Sequence, residues 1–79
     1  MIIKVVCGEQ IRLLESKDKL TLTVLKHFVE GAFPTMKSYY FYYIDQEGDE
    51  IVMETDEDME MFLGEAKKIP KVGVREVVD

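Results

Sequence analysis

The sequence predicts an α+β roll in which two strand pairs and two helices alternate in the order ββαββαβ. Three observations lead there. The chain has 79 residues, enough for one small domain. Its β-branched and aromatic runs come in short stretches separated by Gly-bearing turns, the pattern of hairpins. Between them lie two segments with apolar residues at three-to-four spacing, the pattern of amphipathic helices.

The first pair of strands is Ile2-Ile3-Lys4-Val5-Val6-Cys7 and Gln10-Ile11-Arg12-Leu13-Leu14-Glu15, joined through Gly8-Glu9. With Ile3 and Val5 facing the core, Leu13 and Ile11 are the expected cross-strand partners, through a loop of about three residues. That register sets Lys4 opposite Arg12 on the outer face, because side chains alternate along a strand.

The first helix runs through Thr21 to Ala32, with Val24, Leu25, Phe28, Val29 and Ala32 as its buried stripe. Thr21 or Thr23 is the expected N-cap, and Pro34 stops the helix after Phe33. Tyr39 to Ile44 is dense in aromatics and reads as a third strand, with Tyr39, Phe41 and Tyr43 inward and Tyr40 and Tyr42 outward. Gln46-Glu47-Gly48-Asp49 makes a turn, Gly48 supplying positive φ. Glu50 to Glu54 is the fourth strand, Ile51 and Met53 inward. Thr55 then N-caps a second helix with Asp58 three residues on, as in a capping box. Its stripe is Met59, Phe62, Leu63 and Ala66, with Lys67 and Lys68 at its C-terminal end. Pro70 breaks the chain, and Lys71 to Val78 closes as a fifth strand, expected beside the first and parallel to it. The β-grasp of ubiquitin is one such arrangement.

Composition narrows the function. Ten Lys plus Arg stand against sixteen Asp plus Glu, a net charge of −6. That argues against a nucleic-acid partner, which wants a basic face. No apolar run reaches the length of a membrane-spanning helix, and no signal peptide is visible. One cysteine can neither staple the fold nor build a cysteine zinc site. The average hides a polarity: residues 1–44 carry six bases and four acids, residues 45–79 four bases and twelve acids. From Asp45 to Glu60 there are nine acids and no base. Such a block in a folded domain invites a cationic partner.

The spacing within that block is specific. Tyr43-Ile44-Asp45-Gln46-Glu47-Gly48-Asp49-Glu50-Ile51, then Thr55-Asp56-Glu57-Asp58-Met59, resembles the acidic OPCA motif of Phox-and-Bem-one domains. Ile3-Lys4-Val5 and Ile11-Arg12 resemble the basic strands of the same family, and the resemblance spans essentially the whole chain. It implies a ubiquitin-like, non-enzymatic interaction module without cofactor. In such a module the acidic surface of one domain docks on the lysine surface of another. The acidic face would comprise Asp45, Glu47, Asp49, Glu57 and Asp58; the basic face Lys4 and Arg12. Carrying both faces is the dual type, which can self-associate into chains or rings in cytoplasmic scaffolds of signalling or selective autophagy. The second strand departs from the pattern: a second adjacent arginine is replaced by Leu13, leaving Lys17 or Lys19 to supplement the basic face. An acidic-only module that needs a basic partner domain is the alternative.

Other readings fit less well. An EF-hand loop counted from Asp45 would need Gly at its sixth position and Glu at its twelfth; the chain has Glu50 and Asp56 there. Paired carboxylates for hydrolysis would lack a second chemical group. A conjugated modifier needs a Gly-Gly tail, and the sequence ends Val77-Val78-Asp79. Cys7 and His27 have no reactive neighbour in the sequence pattern and are expected as a small hydrophobe and an exposed or half-packed side chain. The chain is expected to be one module excised from a larger protein.

Overall fold

A computed structural model describes residues 1–17, 19–65 and 69–77. The elements are β1 (Ile2–Cys7), β2 (Gln10–Glu15), α1 (Leu22–Ala32), β3 (Tyr39–Ile44), β4 (Glu50–Met53), α2 (Asp56–Glu65) and β5 (Lys71–Glu76). This is the ββαββαβ order the residue patterns predict, and the fold is α+β and ubiquitin-like. The expectations placed on Ala66, Lys67, Lys68 and Val78 lie outside the described residues.

The five strands form one mixed sheet in the order β2-β1-β5-β3-β4. β5 lies at its centre, parallel to β1 and antiparallel to β3. The Lys4 N–H extends the ladder by donating to the Pro70 carbonyl at 2.8 Å. Two hairpins are thus held side by side by a strand that comes last in the chain. Ile3, Val5, Phe41, Tyr43, Met53, Val72 and Val74 on the inner face close over Leu25 and Val29 of α1 and Met59 and Phe62 of α2. All of these residues are buried, and their alternation along each strand is what gives the sheet one dry and one wet face.

The first hairpin differs from expectation by one residue. Cys7 pairs with Gln10, so the loop is the two residues Gly8 and Glu9 rather than three. Gly8 has φ 59°, the first-position glycine of a type II′ turn. The shift turns β2 over. Val5 now faces Arg12, and Lys4 faces Leu13 rather than Arg12. Leu14 takes the inward place beside Ile3, while Ile11 and Leu13 stand on the outer face, 53% and 63% exposed. Hydrophobicity could not choose between these registers, because Ile11, Leu13 and Leu14 offer apolar residues to either face. The tighter turn decides.

α1 begins as expected, the Thr21 hydroxyl accepting from the Val24 N–H at 3.3 Å. β5 ends at Glu76. On the open face the sheet is closed over by its own side chains. Tyr42 lies across Gly73 of β5, and the Arg75 guanidinium sits 4.6 Å from the centre of the Tyr42 ring. Arg75 also donates to the Tyr40 hydroxyl and pairs with Glu50 of β4.

Candidate functional site

The acidic run divides by what its carboxylates touch. Asp45 organises the β3–β4 turn: its Oδ1 accepts from the Glu47 and Asp49 N–H groups, both at 2.9 Å. The Asp45 N–H donates to the Asp49 carbonyl, and Gly48, at φ 86°, lets the chain turn back. Asp58 closes the capping box of α2. Its Oδ2 accepts from the Glu54 and Thr55 N–H groups at 2.9 and 3.1 Å, while its own N–H donates to the Thr55 hydroxyl at 3.2 Å. Those two backbone bonds hold the Asp58 carboxyl below the usual carboxylate range, as donors to the charged form must. Asp56 reaches the other helix and accepts from the Leu22 N–H, in the first turn of α1, at 3.0 Å. Such a cross-helix cap joins residues 34 apart and has no local signature in the sequence.

Two more acids are paired: Glu50 with Arg75, and Glu60 with Lys19. Glu47, Asp49, Glu54 and Glu57 are exposed and have no ion-pair partner among the described residues. Oxygens of Asp45, Glu47 and Asp49 all lie within 4.8 Å of one another. Three like charges at that spacing repel, and a cation brought between them relieves the repulsion. Exposed acids at a turn do not by themselves make a metal site, and Asp45 already spends one oxygen on two backbone N–H groups.

The expected basic residues stand at the opposite edge of the sheet. Lys4 is half-buried on the outer face of β1, flanked by Leu13 of β2 and Lys71 of β5. Lys71 is thus a neighbour that linear spacing could not associate with Lys4; only the parallel β1–β5 pairing brings them together. Arg12 points the other way. It leans over the Phe33 ring, 5.9 Å from its centre, and donates to the Gln10 amide oxygen and the Ile11 carbonyl. Lys4 and Arg12 therefore flank the β1–β2 edge from opposite faces instead of forming one patch. Lys19 is held by Glu60, a bond that raises its pKa, whereas Lys17 is exposed. Four inter-strand spacings, about 19 Å, separate the outer strands β2 and β4. The β3–β4 hairpin, with four acids and no base, thus lies at the far end of the sheet from Lys4 and Arg12, whose own hairpin also carries Glu9 and Glu15.

Comparison with known proteins follows the same line. The PB1 domain family model matches residues 1–78. Protein PHOX3 of Arabidopsis thaliana is 37% identical over 59 residues, covering 75% of this chain. The chain spans only 7% of that relative's length. The solved AtNBR1-PB1 domain superposes with a TM-score of 0.80, covering 98% of this chain and 97% of that one, at 19% identity. That likeness is one of fold.

Proposed function

The chain belongs to the PB1 domain family, whose members are non-enzymatic protein–protein interaction modules that bind other PB1 domains, and from that premise we propose that it docks front to back. The acidic face is the β3–β4 turn with the start of α2, an OPCA-type surface, and the basic face is the β1–β2 edge. The observation that carries this reading is the division of labour among the acids. Asp45 and Asp58 shape the backbone, while Glu47, Asp49 and Glu57 are left exposed for a partner's cation. Lys4, at the far edge and unpaired among the described residues, is the complementary group. A contact between two different patches is heterologous and can propagate, so one small domain can cross-link the proteins that carry it. Scaffolds of cytoplasmic signalling or selective autophagy are the setting the sequence resemblance implies.

The acidic-only alternative has one observation in its favour: Lys4 and Arg12 do not share a face. Light scattering separates the two readings. The dual type forms species larger than a monomer at high concentration and low salt, and these dissociate as salt screens the charges. Lys4→Ala and Glu47→Ala/Asp49→Ala variants should each be monomeric alone and form a capped heterodimer when mixed. Asp45 is left intact in this pair because its loss would also release the turn. A wild-type protein that stays monomeric throughout rules out self-docking, and variants that fail to heterodimerise would show that the surfaces are misassigned.

A further inference from the structure

The β3–β4 turn and the C-terminal turn of α2 face each other across an open slot. One wall carries Asp45 and Glu47, the other Gly64 and Glu65, and Tyr43 and Ile51 lie at its base. Gly64 has no Cβ, and one built there would meet nothing within 4 Å, so the slot is open on that side.

Tyr43 is the unusual member. It is only 8% exposed, its ring is held against Phe62 at a centroid separation of 4.8 Å, and yet its hydroxyl has no hydrogen-bond partner among the described residues. The hydroxyl oxygen itself is not enclosed, since no buried side-chain oxygen among the described residues lacks a partner; it opens onto the slot that Asp45, Glu47 and Glu65 line. Burial, then the charges of Glu65, Asp45 and Asp58, push its pKa up; as in any tyrosine at neutral pH, the phenol oxygen can accept a hydrogen bond. The apolar base and the acidic rim suit a side chain with a methylene stem and a cationic head.

We propose that this slot is a second cation subsite of the acidic face, in which a lysine or arginine side chain of the docked partner places its charged head between Glu65 and Glu47 and donates to the Tyr43 hydroxyl. Glu65 thereby joins the interface from the far end of α2, outside the acidic run from Asp45 to Glu60. The proposal rests on the front-to-back reading and adds to it a requirement for a long cationic side chain beyond the one that meets the turn.

The test uses two capped partners. The Lys4→Ala domain supplies an intact acidic face, and the Glu47→Ala/Asp49→Ala domain supplies an intact basic face. Their affinity is measured by calorimetry with Glu65→Gln or Tyr43→Phe added to the first partner. Each added change should weaken binding about threefold or more. Tyr43→Phe should leave the melting temperature of the free domain unchanged, because the hydroxyl has no partner to lose there. Heterodimers that form with unaltered affinity in both variants would overturn the subsite while leaving front-to-back docking intact. If no heterodimer forms even without the added changes, the docking reading falls, and the subsite with it. A Tyr43→Phe domain that melts lower would show the hydroxyl serving the fold instead and would also overturn the assignment.

Discussion

Gly73 offers the most direct test of how the central strand holds the two hairpins together. It is buried in β5, paired with Val6 on one side and Tyr42 on the other. A Cβ added there would lie 2.5 and 2.6 Å from Cε1 and Cε2 of Tyr42, and closer still to its Cζ. Carbon atoms rest at about 3.5–4.0 Å, so Gly73→Ala must displace the ring by about 1 Å or more. The ring has little freedom, because Arg75 lies over it and is itself tied to Tyr40 and Glu50. Overpacking of this kind costs about 1–3 kcal/mol, and the gain in strand preference of Ala over Gly returns about 0.5–1 kcal/mol. The net expectation is a loss of about 1–2 kcal/mol. For a domain of this size that is a fall in melting temperature of about 5–15 °C, read by circular dichroism. The decisive control is the same substitution in a Tyr42→Ala background, where the clash is gone and Gly73→Ala should be neutral or stabilising. A single variant as stable as the wild type, or a cost that persists undiminished without the Tyr42 ring, would refute the reasoning.

Two further outcomes follow from the site. Asp58 has a lowered carboxyl pKa in the folded state, so its contribution is fully present above the ordinary carboxylate value and is lost as pH falls through the lowered one; urea titrations from pH 7 to pH 2 should therefore show a shallower acid loss for Asp58→Asn, from a lower starting stability, and parallel curves would sink the assignment. Leu13 is exposed beside Lys4 on the outer face, so Leu13→Arg should change stability by no more than about 0.5 kcal/mol while strengthening self-association and steepening its salt dependence, as light scattering across a salt series would show; association unaffected by this added charge would place the basic face elsewhere.

Much of this was legible in the linear chain because it depends on local chemistry. The capping box of Thr55 and Asp58 forms from residues three apart, and both partners of each bond lie within one turn. Gly48 in the β3–β4 turn and Pro34 after α1 act through their own backbone preferences. The alternation of Tyr39 through Tyr43 follows from strand geometry alone, with Phe41 and Tyr43 buried as the pattern required. The polarity of charge between the two halves of the chain was likewise a matter of counting.

Tertiary structure decided what local chemistry left degenerate. β2 has apolar residues on both faces, so its register was settled by the turn at Gly8, and with it the side on which Arg12 emerges. The grouping of Lys4 with Lys71, the bond from Leu22 to Asp56 and the meeting of Glu65 with Tyr43 all join residues more than twenty positions apart. Such contacts carry no periodicity, since the chain between them is free to vary without changing either end. The sequence by itself therefore determined which elements form and which sign of charge each half bears. Which charges stand free, which are spent on the backbone and which share a face was decided only when β5 inserted between the hairpins and set their edges apart.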